Sequence, residues 1–155
     1  MKELNEKSDL HKVMKILYFS DREHLVKYGF PITGDTYFKM KFGPVPSFMN
    51  YVATNDHNDE KYRGIITKKN KYLTSNVDID IEDLSKSEIT CLENSIITYS
   101  KYNFKQLTEI SHKDAWNKSD WEINYFDIAK EGGAEEDMLK YIKERAINES
   151  ISFNL

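Results

Sequence analysis

Residues 15–46 read KILYFSDREHLVKYGFPITGDTYFKMKFGPVP, and the fold turns on this stretch. The residues Leu10, Val13, Met14 and Leu17 follow the i, i+3, i+4, i+7 spacing of one helix face. One turn further the same face carries Asp21, then His24 and Tyr28, with Leu25 beside them. A carboxylate and an imidazole three residues apart are neighbours on a helix surface. A carboxylate in a core costs several kcal/mol unless it is paired or hydrogen-bonded, so Asp21 requires a designated partner. The turn near Gly34 and the strand near Tyr37 are the expected donors.

The helix is expected to stop near Tyr28. Gly29 can cap it in the left-handed conformation, Pro31 blocks continuation, and Gly34-Asp35 marks a turn. Thr36 to Phe42 (TYFKMKF) is β-branched and aromatic, which predicts a strand with Tyr37, Lys39 and Lys41 on one face and Phe38, Met40 and Phe42 on the other. Gly43-Pro44-Val45-Pro46 is expected to end that strand, because prolines lack the N–H that a central ladder needs. Ser47 is then placed to cap a short helix reaching Tyr51 or Ala53.

Further along, Asn55 to Lys61 is polar and aperiodic and reads as an exposed, mobile loop. Tyr62 to Thr67 and Tyr72 to Thr74 flank Lys68, Lys69 and Lys71 and predict a hairpin, expected to join Thr36–Phe42 in one sheet. Ser85 with Glu88 forms a capping box, flanked by a Leu84–Ile89 staple, for a helix to Lys101 that buries Ile89, Leu92, Ile96 and Tyr99. Asn103 with Gln106 opens a second helix ending near His112. Asn124 caps Tyr125–Glu131, which Gly132-Gly133 stops.

Glu135-Glu136-Asp137 opens a last helix that turns Met138, Ile142 and Ala146 inward, while Ile151 to Leu155 should fray. Ser111 to Trp121 shows no strong period and reads as a short aromatic loop. Within it Trp116 is a core plug that needs a partner for its N–H, and Trp121 fits core or binding equally. Together these elements predict a mainly α-helical α+β fold. The expectation is one compact domain over 1–155, with a core of 9–149, five to six helices and a small antiparallel sheet of two to three strands.

With 155 residues, 39% of them hydrophobic, the chain suits a single core without staples. Its one cysteine, Cys91, excludes an intramolecular disulfide and lies in a helical pattern, where a core thiol is expected. No apolar run approaches the roughly 18 residues of a membrane span, and MKELNEKSDL holds no apolar leader segment, so a cytoplasmic protein is expected. A net charge of −4 speaks against a dominant phosphate-binding surface, and the hairpin lysines read first as a solvated tip. Nucleic acid is therefore the lesser reading. No Gly-x-Ser-x-Gly elbow, Gly-rich phosphate loop or His-Glu-x-x-His pattern occurs, and the histidines lack metal-ligand spacing. These absences predict no catalytic residues, no metal and no cofactor. Lys39 and Lys41, beside Tyr37, read equally as a partner patch or a solvated face.

The stretch resembles the signature of the Panacea domain, also called the SocA-like antitoxin domain. The likeness rests on the Tyr-Phe-x-Asp-Arg block, the Ile-Thr-Gly-Asp turn, the strand with its lysines, and Gly-Pro-Val-Pro. A second block, LTEISHKDAWNKSD followed by INYFDI, extends it over about residues 10 to 131. The signature positions are Tyr18, Asp21, Arg22, Gly34, Asp35, Tyr37, Gly43, Pro44, Val45, Pro46, His112 and Trp116. The resemblance implies an antitoxin from a bacterium, phage or mobile element that neutralises a cognate protein toxin, typically encoded beside it, by direct binding.

One branch of the family instead delivers its toxin to a protease, which makes an adaptor the alternative. An enzyme or small-molecule site near Asp21, His24, Lys41 and His112 is a further one. Many relatives carry an N-terminal DNA-binding segment, which is not expected before a helix starting at Leu10. Candidate partner-binding residues are His24, Tyr37, Lys39, Lys41, Phe42 and Trp121.

Overall fold

The computed structural model describes residues 8–54 and 60–153; the expected loop at Asn55–Lys61 falls largely outside them. Helix α1 (Leu10–Tyr28) starts at Asp9, whose carboxylate accepts from the Lys12 N–H, and ends with Gly29 in the left-handed region. It is the axis of the fold, packed by helices α2 (Ser47–Thr54), α3 (Lys86–Tyr99), α4 (Phe104–Ser111), α6 (Tyr125–Glu131) and α7 (Glu136–Phe153). Burial runs almost all round it from Val13 to Leu25 and includes Lys15, Ser20, Asp21 and His24. The expected single stripe is thus too narrow, since a helix covered on every side is buried on every side. Tyr28, expected on that stripe, lies beyond the covered turns and is exposed.

Two three-stranded antiparallel sheets replace the single expected one. The first orders β1 (Ser8–Asp9), β5 (Tyr72–Ser75) and β4 (Ile66–Lys69). The second orders β3 (Gly43–Pro46), β2 (Tyr37–Met40) and β6 (Glu122–Ile123). The Gly-Pro-Val-Pro segment therefore does not end the sheet but forms its edge. Tyr37 faces Pro46, Phe38 faces Val45, and Lys39 faces Pro44. The Ser47 N–H donates to the Thr36 carbonyl at 2.9 Å, so the hydrogen-bonded positions alternate and both prolines fall between them. The missing N–H groups cost the ladder nothing there.

Among the described residues the chain has seven helices, with α5 (Asp114–Lys118) arising in the segment expected to be a loop and β6 directly after it. Both predicted capping boxes, Ser85/Glu88 and Asn103/Gln106, are present, and Asn124 caps α6. Helix α3 centres its buried face on Cys91 and Ser95, with Leu92 and Tyr99 half-covered at its margins. Burial pushes the Cys91 thiol up to about 11. In α7 the inward side chains are Leu139 and Ile142, while Ala146 is exposed; the helix continues to Phe153 where fraying was expected. No helix among the described residues is long and apolar enough to cross a membrane.

Candidate functional site

The signature residues form three joints, all built from α1. In the first, Asp21 is fully buried and accepts from the N–H groups of Ile32 and Thr33 at 2.7 and 3.0 Å, from the Thr33 hydroxyl and, at 2.7 Å, from the Tyr37 hydroxyl. Burial pushes the carboxyl pKa up against the pull of these bonds. Next to it, Asp35 caps α2 from outside, accepting from the Phe48 and Met49 N–H groups at 2.9 Å each and from the Ser47 hydroxyl. Ser47 was expected to be the cap; it lies inside the helix because Asp35 already satisfies the free N–H groups. Tyr125 donates to the Asp35 carbonyl and ties α6 to the same turn.

In the second joint, Tyr18 and Arg22, one helical turn apart, both donate to Glu131 Oε2, at 2.8 and 3.1 Å, while Glu131 Oε1 accepts from the Ala115 N–H. Arg22 also reaches the Tyr99 hydroxyl at 3.2 Å and lies over the Phe19 ring. Glu131 thus joins α1, α5 and α6. Nothing local in the sequence singles it out, because its donors come from distant segments.

The third joint clamps the β2–β3 hairpin. Trp116 Nε1 donates to the Met40 carbonyl at 3.0 Å, His11 Nε2 meets the Phe42 carbonyl at 3.2 Å, and Lys15 Nζ donates to the Pro44 carbonyl at 2.6 Å. Three side chains from α1 and α5 thereby hold three residues within a five-residue tip. His112 stacks on Trp116 with ring centroids 4.0 Å apart, and Lys39 Nζ lies 4.4 Å above the Trp116 ring while donating to the Ser119 carbonyl. Burial lowers the pKa values of His11 and His112 and takes Lys15 down to about 7. Gly43 is pressed into this cluster: a Cβ there would strike Ser111 Oγ and lie 2.9 and 3.0 Å from Lys15 Cε and Nζ.

The clamp determines what the hairpin shows to solvent. Tyr37, Pro44, Pro46 and Ile123 face inward, and Lys39 is half-buried against Trp116. Met40, Lys41 and Phe42 are exposed, with Phe38 half-exposed. Phe42 meets the exposed Phe104, ring centroids 5.1 Å apart, and Phe38 meets Trp121, which is 62% exposed. The outward face is therefore Phe38, Met40 and Phe42 rather than the expected Tyr37, Lys39 and Lys41, because the Tyr37 hydroxyl is drawn in to Asp21. Of the candidate partner residues, Lys41, Phe42 and Trp121 lie on this surface. His24 and Tyr37 are fully buried; His24 bridges the Phe30 carbonyl and Ser87.

The grouping of Asp21, His24, Lys41 and His112 around one pocket does not form. Lys41 and His112 belong to the hairpin clamp held by Lys15 and His11, whereas Asp21 and His24 hold the 30–37 segment further along α1. A groove of about 820 Å³ runs between residues 29–36, β6 and α7, and none of the four lines it. Among the described residues no three His, Cys, Asp or Glu side chains are grouped to hold a metal ion.

No curated protein and no solved structure matches this chain. A family model described as antitoxin SocA-like, Panacea domain, matches residues 13–117, which span the Asp21 joint, the Asp35 cap and the hairpin with Lys15 and Trp116 of its clamp, and the chain belongs to that family.

Proposed function

We propose that this protein is an antitoxin that neutralises a cognate protein toxin by direct binding, acting in the cytoplasm of a bacterium from a gene beside the toxin's, carried on the chromosome, a phage or another mobile element. Membership of an antitoxin family supports the role. The observation that carries the binding mode is the clamped hairpin, which offers Met40 and Phe42 to solvent on a backbone held by Trp116, His11 and Lys15, with the exposed Phe104 and Trp121 beside it. Exposed aromatic and methionine side chains on a preorganised support are what an interface core uses, since little freedom remains to be lost on binding. Lys41, exposed and with its Nζ 5.2 Å from the Phe42 ring centroid, adds a cation beside it.

The test is co-expression with the neighbouring reading frame, scored for growth and for co-purification, with the parent and with the Met40→Glu/Phe42→Glu double variant. The parent should restore growth and co-purify. The double variant should keep the parent's melting temperature and lose both. Growth rescue without any complex overturns the proposal, as does unchanged co-purification of the double variant. Toxin whose level falls only when this protein is present would show delivery to a protease in place of sequestration.

A further inference from the structure

Residues 77–82 read VDIDIE, a strict alternation of β-branched and acidic side chains. That period is the mark of a strand with one face covered. The segment nevertheless forms no strand and, among the described residues, joins neither sheet. Val77, Ile79 and Ile81 are each more than half exposed. It leaves the end of β5 at Asn76, whose N–H donates to the Ile65 carbonyl and whose side chain reaches the Gly64 carbonyl and the Thr67 hydroxyl, beside the start of β4.

The outer side of β4 is an open sheet edge, because the order of that sheet is β1-β5-β4. Thr67, Lys68 and Lys69 stand exposed along it. Lysines on an open edge repel chance pairing by apolar strands. An acidic strand is the exception. We propose that residues 77–82 are a strand completed by a second copy of this chain: each protomer's segment adds to the outer edge of β4 in its partner, making a twofold dimer.

The side chains support the match. Ile66 packs against the smaller core of Val13, Met14, Ala53 and Leu73. With Val77, Ile79 and Ile81 on the face of Ile66, that core is extended across the interface, and Asp80 and Glu82 fall on the face of Thr67 and Lys69. Opposite charges directly across a ladder are favourable and like charges are not. The donor segment and the acceptor edge begin side by side in one molecule, so a single twofold operation forms both contacts at once.

Sedimentation equilibrium of the full chain, alone and at low salt, tests this. A reversible dimer is expected. Ile79→Pro and Asp80→Pro remove consecutive N–H groups, one of which an added strand turns to the ladder, so one of the two should weaken the dimer by about tenfold or more while both leave the monomer's circular dichroism unchanged. Asp80→Lys and Lys69→Glu should each weaken it, and the two together should restore it. A chain that sediments as a monomer at every concentration overturns the proposal. So does a dimer that both proline variants leave intact, or a charge exchange that fails to restore association.

Discussion

Lys15 donates to the Pro44 carbonyl at 2.6 Å from a side chain with no exposure to solvent. Among the described residues no carboxylate pairs with it, and burial alone takes its pKa from 10.5 to about 7. A cation kept without a counter-charge is costly to the fold. It is retained where it fastens the second strand of the hairpin to the central helix.

This cost has a definite pH signature. Between about pH 7 and 10.5 the unfolded chain holds a proton on Lys15 that the folded chain does not, so stability rises with pH across that window. The slope approaches ~1.4 kcal/mol per pH unit at most. Below about pH 7 both states are protonated and the contribution is flat. Urea denaturation of the parent and of Lys15→Met from pH 6 to 10 isolates it. The difference between them should favour the variant near pH 7 and shrink as pH rises; a difference independent of pH would show that Lys15 is charged throughout.

Asp21 is the opposite case, a buried group with more donors than most carboxylates command. Asp21→Ala leaves the Ile32 and Thr33 N–H groups and the Tyr37 hydroxyl without their acceptor. Unpaired buried donors cost about 1–3 kcal/mol each, and partial hydration of the turn should bring the total to roughly 3–5 kcal/mol. Chemical denaturation measures it. A variant that melts with the parent yet loses growth rescue would move Asp21 from scaffold to contact surface.

Two signature glycines separate conformation from space. Gly34 has φ 64°, and a Cβ there would meet nothing within 4 Å. Gly34→Ala should therefore cost only the left-handed conformation, about 1–2 kcal/mol. Gly43 has φ 103°, and a Cβ there would run into Ser111 and Lys15. Gly43→Ala must displace the hairpin from its clamp. It should destabilise the protein clearly more than Gly34→Ala and lower affinity for the toxin, whereas Gly34→Ala should leave affinity unchanged. Paired melting and pull-down measurements decide it, and equal effects would remove the steric argument.

These relationships also show where local sequence signals end. The starts of α3, α4 and α6 were legible because their caps lie within three residues of the N–H groups they serve, and the stop of α1 because Gly29 itself takes the left-handed cap conformation. The cap of α2 was not, since Asp35 reaches it from 13 residues upstream of Phe48. Glu131 escaped for the same reason, its donors Arg22 and Tyr18 lying 109 and 113 residues away. Proline chemistry suggested the end of a strand at Pro44, but an edge strand tolerates it at alternate positions. The tie from Asp21 to the turn and to Tyr37 was legible, because a carboxylate on a covered helix face needs donors, whereas only the packing shows that Trp116, with His112 stacked on it, holds the hairpin tip.

Trp116 allows the clamp to be loosened without emptying the core. Trp116→Phe removes the bond from Nε1 to the Met40 carbonyl but keeps a ring for His112 to stack on and for Lys39 to cover. A single net hydrogen bond is worth about 1 kcal/mol, so the melting temperature should fall only slightly. The freed tip, however, must be re-ordered when a partner binds, and that cost appears in affinity. The expected result is faster amide exchange at residues 40–43, with toxin affinity reduced by about tenfold, equivalent to ~1.4 kcal/mol. Unchanged affinity alongside faster exchange would show that the partner does not contact a preorganised hairpin.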